Sequence, residues 1–491
     1  MENLLQLQNG SDIRGVAMDT EGQSITLSEE AAYAIAYSFA QYILSRYNPT
    51  PVPIAVVGCD SRLTGDRLKA VVLQAFASAG FTAYDASLTS TPAIFMSTIF
   101  DEIKADCGIM ITASHLPYDR NGMKFFTKDG GMDKQILKNI LLNAEELPIP
   151  QATYEFKPVA LTDIYSRYLV EIIREKTGRQ EPFAGKKIIV DAGNGSGGFF
   201  ADNVLVPLGA DTTGSIFLEP DGYFPNHIPN PENAAVMQEF SQRVVDEEAD
   251  LGIIFDTDVD RAAVADKTGR AISRNALVAL MSAIVLADYP GACIVTDSVT
   301  SSSLTTFIER LGGTHHRYKR GYKNVIDEAI RLNELGTLSP LAIETSGHCA
   351  LIENHFLDDG AYMAVKILIL FAQLAQEGKV LSDIICDLKE PAEALELRLN
   401  ILCDDFKTYG SEMLGKFESY AMSKMGWSVV SPNYEGVRIE ADGYNGGGWA
   451  LMRLSLHDPV IAINIESDRT GGAAIIKQEI VTFLKDFEHI Q

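Results

Sequence analysis

Residues 105–114, Ala-Asp-Cys-Gly-Ile-Met-Ile-Thr-Ala-Ser, align without a gap on residues 249–258, Ala-Asp-Leu-Gly-Ile-Ile-Phe-Asp-Thr-Asp. A chain that repeats both an apolar run and the polar loop behind it builds one structural unit more than once. Each run has a companion upstream: Ile54-Ala55-Val56-Val57 for the first, Lys187-Ile188-Ile189-Val190 for the second. After each companion come a polar turn, a helical stretch and a glycine, at Gly80 and Gly209. A third set starts at Cys293-Ile294-Val295-Thr296, reaches Gly312, and puts Leu341-Ala342-Ile343 where the other copies have their apolar runs. Unbroken β-branched runs alternating with helical stretches predict buried parallel strands in α/β units. The loops at 112–114, 256–258 and 344–346 then fall at the carboxyl ends of equivalent strands, where open α/β sheets hold their ligands. In this register Ser114 is the counterpart of Asp258.

At 491 residues the chain exceeds one hydrophobic core and divides into three or four domains. Residues 148–151, Pro-Ile-Pro-Gln, read as a linker, and a helix through 164–176 leads into the second domain. After 391 the repeat is lost. Short strands, a Gly-rich hairpin at 442–448 and a final helix predict a smaller α+β domain there. The expected fold is α/β: three related α/β domains with mostly parallel mixed sheets, at 1–152, 153–264 and 265–390, and the smaller domain at 391–491.

A net charge of −25 argues against nucleic acid or an anionic membrane as partner. The first residues lack the basic and apolar segments of a secretory leader. The most apolar stretches, 276–287 and 364–375, are too short to span a bilayer and read as buried helices. Six cysteines (Cys59, Cys107, Cys293, Cys349, Cys386, Cys403) show no CxxC spacing and mostly sit in apolar runs, as reduced core thiols of a cytoplasmic protein do.

Three loops carry recognisable chemistry. Ser114 is displayed between an apolar run and Pro117, with His115 beside it and Lys124 ten residues on. Asp256, Asp258 and Asp260 alternate after Phe255, and alternate residues of extended backbone share a face. Three converging carboxylates repel unless a cation holds them, and an all-oxygen set suits Mg²⁺. A phosphate on Ser114 would add an oxygen donor and roughly two negative charges, for which Arg261, Lys124 and Arg14 are the available counter-charges. Phosphoryl transfer relies on such an electrostatic clamp. An attacking hydroxyl also needs a proton acceptor, and His115 and Lys124 are the candidates. Glu344 and Ser346 in Ile343-Glu344-Thr345-Ser346-Gly347-His348 can hold adjacent sugar hydroxyls, although a helix N-cap uses the same residues.

Near the end, Arg453 and Ser455 in Arg453-Leu454-Ser455-Leu456-His457-Asp458-Pro459 pair a guanidinium with a hydroxyl at a spacing suited to phosphate, and exposed strand positions would look alike. Together these loops resemble the α-D-phosphohexomutase superfamily, which includes phosphoglucomutases, phosphomannomutases and phosphoglucosamine mutases, in the family's order and over essentially the whole chain. Asp12-Ile13-Arg14-Gly15 is similar to its N-terminal signature and residues 112–117 to its phosphoserine loop. Residues 256–261 resemble its metal loop, 344–348 its sugar loop and 453–459 its phosphate loop. Lys319-Arg320-Gly321-Tyr322-Lys323 resembles a basic segment that helps tell two substrate orientations apart.

The resemblance implies four domains around a central cleft and hexose phosphates as substrates. It implies Mg²⁺ held by phosphorylated Ser114 with Asp256, Asp258 and Asp260, and hexose 1,6-bisphosphate as intermediate and activator. Ser114, His115, Lys124 and Arg14 would be catalytic. Arg261, Lys319, Glu344, Ser346, His348, Arg453, Ser455 and His457 would bind substrate, in a monomer or homodimer. Several positions depart from the pattern. Leu116 stands where Asn is usual, Thr257 and Val259 replace glycines, Ile343 replaces another, and Leu456-His457-Asp458 replaces a small, Thr-containing stretch. These spare the serine and the aspartates but alter the grip on the distal phosphate.

The first reading is therefore a phosphohexomutase acting on glucose phosphates, with the mannose pair as an extension. A glucose 1,6-bisphosphate synthase that releases the bisphosphate is the second reading, and a non-catalytic sugar-phosphate sensor the third.

Overall fold

The computed structural model describes residues 4–20, 22–48, 52–144, 154–455 and 458–491. The linker expected at 148–151 lies outside these residues, as do Leu456 and His457 of the phosphate loop. The chain packs as two units: Met1–Leu277 with Ser346–Asp383, and Val278–Thr345 with Ile384–Gln491.

The first unit holds two copies of the repeat. An eight-stranded sheet runs in the order Gln8–Asn9, Asp12–Val16, Arg120–Thr127, Cys107–Ile111, Ile54–Cys59, Thr82–Leu88, Lys157–Pro158, with Gly130–Gly131 added beside Arg120–Thr127. Ile54–Cys59 is parallel to both Thr82–Leu88 and Cys107–Ile111, whereas Arg120–Thr127 folds back antiparallel on Cys107–Ile111. In the second copy Ile188–Asp191 is parallel to Leu251–Phe255, and Ala262–Asp266 folds back antiparallel. Both central strands are buried at every position, which is why their sequences are apolar without alternation. Helix Glu29–Tyr47 covers the first sheet; Ser28 caps it by accepting from the Ala31 N–H at 3.2 Å, and Glu29 and Glu30 oppose its dipole. Its Phe39 packs edge-on against Phe125 of the sheet, 5.1 Å between centroids.

The second unit repeats the pairing, with Cys293–Thr296 parallel to Thr314–Arg317 on one side and Leu341–Ile343 on the other. Ala55 faces Cys107, Ile188 faces Leu251 and Ile294 faces Leu341, so each loop of interest leaves a strand of equivalent position. The smaller C-terminal domain is a five-stranded antiparallel sheet, in the order Glu393–Asn400, Val460–Ser467, Gly448–Leu454, Val437–Ala441, Trp427–Val429. Helices Phe406–Ser423 and Gly472–Leu484 bury Met413, Phe417, Ile476 and Ile480 against Ile439, Met452 and Ile463. The Gly-rich hairpin joins Val437–Ala441 to Gly448–Leu454, with Asp442 capping its turn.

Two expectations are corrected. The helix awaited before Gly209 is a π-helical turn, Phe200–Leu205, running into a 3-10 turn, Val206–Leu208. Pro207 supplies no N–H to continue it as a regular helix. Of the cysteines, Cys386 is exposed and Cys403 half-buried, because they fall in connections rather than strands; the other four are buried thiols. The apolar stretches at 276–287 and 364–375 do lie in helices, Arg274–Asp288 and Gly360–Glu377. No helix among the described residues is long and apolar enough to cross a membrane.

Candidate active site

Where Cys107–Ile111 ends, the backbone turns sharply. The Thr112 hydroxyl accepts from the Ser114 N–H at 2.9 Å, and Ser114 takes a left-handed conformation, φ 52°. A non-glycine residue holds such a conformation only when its surroundings enforce it. The turn delivers Ser114 Oγ between two groups from the second repeat. It donates to Asp256 Oδ2 at 3.0 Å and accepts from Arg261 Nη2 at 3.0 Å. His115 Nδ1 lies 3.4 Å from the same oxygen and accepts from Arg261 Nη2 at 2.8 Å.

Asp256, Asp258 and Asp260 are all buried, with ligand oxygens within 4.8 Å of one another. The loop is closely bracketed. A Cβ on Gly195 would meet Thr257 O at 2.5 Å, and one on Gly360 would meet the Arg261 carbonyl carbon at 2.6 Å. Within the loop Val259 is also left-handed, φ 68°, and its carbonyl accepts from the Gly360 N–H at 3.1 Å. Lys124 Nζ sits 2.8 Å from Asp258 Oδ2 and closer still to Asp260. Thr91 donates its N–H to the Asp258 carbonyl at 2.9 Å, and its hydroxyl reaches the Asp258 carboxylate. Arg261 binds Asp256 through Nε at 3.2 Å and Nη2 at 2.9 Å, and its Nη1 is held by Asn230 Oδ1 at 3.1 Å.

Two cations thus face three carboxylates. Burial, then the charge of Asp260, pushes Asp256 well above the usual carboxylate range. Asp260 is held low: against burial, Lys124, His348 and Arg261 all favour its charged form. Burial and the adjacent Arg261 push His115 down to about 3, so its imidazole is neutral. Lys124 stays charged because Asp258 and Asp260 outweigh its burial. Asp258 Oδ1 and Asp260 Oδ1 are buried and make no hydrogen bond. Buried carboxylate oxygens in that state, in an all-oxygen donor set, fit a hard divalent cation such as Mg²⁺.

The other expected residues fall as follows. Arg14 donates to Thr112 O at 2.9 Å and pairs with Asp12 at 3.1 Å, beside the serine loop. His348 lies against the acidic loop: its Nδ1 is 2.6 Å from Asp358 Oδ2 and 3.9 Å from Asp260 Oδ1, and together these pairs lift it to about 9 despite burial. Ser346 is buried in the same unit.

In the second unit, buried Glu344 accepts from the Gly321 N–H at 2.6 Å, tying its loop to the basic segment. Lys319 is exposed, its ammonium 5.7 Å from the Tyr318 ring. Arg453 lies half-buried one residue before the end of its strand; burial lowers its pKa, Glu435 opposes that, and Nε makes no hydrogen bond. Ser455 accepts from the Asp458 N–H at 3.3 Å. Thr91, Asn230 and Asp358 are residues that sequence reasoning missed. Each reaches the site from an element with no chemistry of its own, and only the Thr91-Pro92 helix start left a local signal.

Three family models match the chain. They are described as phosphoglucomutase/phosphomannomutase alpha/beta/alpha domains I, II and III, and match residues 5–146, 163–269 and 273–391. Among curated relatives, a phosphomannomutase/phosphoglucomutase of Pseudomonas aeruginosa is 29% identical over 459 residues, 93% of this chain and 90% of its own length. A phosphoglucomutase of Neisseria meningitidis is 27% identical over 469 residues, 95% of this chain and 94% of its own. The crystal structure of a phosphoglucomutase/phosphomannomutase family protein from Burkholderia thailandensis matches with a TM-score of 0.80 at 25% identity, covering 97% of this chain and 96% of that one.

Proposed function

Because this chain belongs to the phosphoglucomutase/phosphomannomutase family of α-D-phosphohexomutases, we propose that it moves phosphate between C1 and C6 of glucose phosphate, with mannose phosphate as its second substrate. It is an enzyme, a phosphotransferase mutase. The observation that carries the finer reading is the seat of Ser114 Oγ, 3.0 Å from both Asp256 Oδ2 and Arg261 Nη2.

In this reading Ser114 carries the phosphoryl group. A hydroxyl of the hexose phosphate attacks the phosphorus, the bond to Ser114 Oγ breaks, and a hexose 1,6-bisphosphate forms. After the bisphosphate turns over, Ser114 Oγ takes the other phosphoryl group and the isomeric monophosphate leaves. Arg261 presents Nη2 at the bridging oxygen and offsets charge as the phosphoryl group loosens. Lys124 offsets Asp258 and Asp260. The candidates for the attacking hydroxyl's proton are His115, whose imidazole is neutral and whose Nδ1 accepts from Arg261, and Lys124, which Asp258 and Asp260 hold charged. Mg²⁺ bound to Asp256, Asp258, Asp260 and the phosphoserine would draw electron density from the phosphoryl oxygens.

Glu344 and Ser346 read sugar hydroxyls in this proposal, and Lys319, Arg453, Ser455 and His457 hold the phosphate that does not react. His348 would act from beside Asp260. The proposed division at 390 separates the sheet that ends with Cys349–Leu351 from the one that begins with Glu393–Asn400, whereas 264 falls inside strand Ala262–Asp266 and 152 leaves Lys157–Pro158 of the first sheet in the second segment. The cytoplasmic reading rests on thiols that form no disulfide among the described residues. Support for turnover over release of the bisphosphate is that the departures in the phosphate loop leave Ser114, Asp256, Asp258 and Asp260 unchanged.

The test is a purified-protein assay on the 1-phosphates of glucose, mannose and glucosamine, with and without glucose 1,6-bisphosphate. Isomerised glucose 6-phosphate, accelerated by the bisphosphate, is expected. Stoichiometric accumulation of bisphosphate, or no turnover of any sugar, contradicts the proposal.

A further inference from the structure

The polar turn of the first repeat, Asp60-Ser61-Arg62, has no part in the chemistry above, yet Arg62 is built into the serine loop. Its side chain is fully buried and pairs with equally buried Asp60, Nε to Oδ2 at 3.4 Å. Nη1 donates to the carbonyls of Pro117 at 2.7 Å and Arg120 at 2.9 Å. Nη2 donates to the carbonyl of Leu116 at 2.5 Å and, by a shorter contact, to that of Ser114 itself. Residues 113–118 belong to no helix or strand, and the backbone bonds within the turn are local ones, Leu116 N–H to Ala113 O at 3.2 Å and Arg120 N–H to Pro117 O at 3.0 Å. The guanidinium is fixed from behind: the Phe224 ring lies 5.2 Å from it. Gly222 is pressed so closely on the turn that a Cβ there would meet Leu63 N at 2.5 Å and Ser61 O at 2.6 Å.

We propose that Arg62 is a positioning residue of the transfer reaction: by gathering four carbonyls of residues 114–120 it holds the left-handed turn that aims Ser114 Oγ at Asp256 and Arg261. It sets turnover without touching substrate. The inference rests on reading Ser114 as the phosphoryl carrier. A planar fork of five donors can meet four carbonyls at fixed angles, and a lysine ammonium in the same place cannot. Misplacing a reacting oxygen by about 1 Å is enough to lose on the order of 100-fold in rate.

The experiment compares wild type with Arg62→Lys in three readouts: steady-state kinetics at saturating glucose 1,6-bisphosphate, thermal unfolding, and amide hydrogen exchange of residues 113–120. Arg62→Lys should lower kcat per folded molecule by roughly 100-fold, leave KM for glucose 1-phosphate unchanged, and speed exchange in that segment. Wild-type kcat per folded molecule, or a loss that only tracks the unfolded fraction, overturns the inference. If Arg62→Lys does not fold, Phe224→Leu carries the test, because it uncovers the guanidinium while sparing its hydrogen bonds. A several-fold lower kcat at constant KM supports positioning, and an unchanged kcat overturns it. An inactive wild type, or one that never acquires phosphate on Ser114, sinks the mutase reading instead and is seen before any variant is compared.

Discussion

At the scale of single residues, the site depends on groups that serve two partners at once. Arg261 bonds Asp256 with two nitrogens and presents one of them to Ser114 Oγ as well. A lysine there keeps the charge but loses that geometry. Arg261→Lys should therefore lower kcat by roughly 10²–10³-fold, the size found for removing one preorganised donor, with a smaller change in KM; steady-state kinetics decides. Away from the chemistry, His227 Nε2 bonds Asp191 Oδ2 at 3.0 Å. Burial disfavours its charge, but the bond to Asp191 wins and its pKa is raised. A raised histidine stabilises the fold fully below its unfolded value of about 6.5, and that contribution fades as pH climbs through the folded pKa. The difference in melting temperature between wild type and His227→Gln should be largest at acidic pH and shrink above neutrality.

At the scale of elements, the working parts are loops pinned by their neighbours. Gly360 opens helix Gly360–Glu377 against the backbone of Arg261, where a Cβ would meet backbone atoms at 2.6–2.8 Å. Backbone cannot yield as a side-chain tip can, so Gly360→Ala should displace Arg261 and cost about 1–3 kcal/mol, the usual size of an overpacked core. Thermal unfolding measures the stability, and kcat should fall with it. The repeat was legible because both Cys107–Ile111 and Leu251–Phe255 are buried on two faces, a demand that local composition records directly. Ser114 and the three aspartates were legible because each loop brings its own chemistry. Thr91 and Asn230 were not: they reach the site from distant segments, and the Thr91-Pro92 helix start marks an element but not its contact with Asp258. The π-helical turn at Phe200–Leu205 escaped because its residues carry no local mark that separates it from an α-helix. For His348 the loop carries the substrate-binding expectation, and its pairing with Asp358, set by the chain ten residues further on, left no local pattern.

At the scale of the whole molecule, residues some 140 positions apart build one centre within the first unit, serine from one repeat and carboxylates from the next. The shared strand position explains why: duplicated α/β units offer their loops at the same end of each sheet. Since the acidic loop gathers three buried carboxylates, two of whose oxygens make no hydrogen bond, a divalent ion should be needed for turnover. Dialysis against EDTA should abolish activity, and Mg²⁺ should restore it; retained activity in the chelator would remove the metal from the account. The central claim is that the Ser114 hydroxyl carries the phosphoryl group, and peptide mass spectrometry tests it most directly. After incubation with glucose 1,6-bisphosphate, one phosphoryl group should map to Ser114 and disappear when excess glucose 1-phosphate is added, while Ser114→Ala takes up none and does not turn over. Phosphate found on another residue, or turnover by Ser114→Ala, would contradict the account.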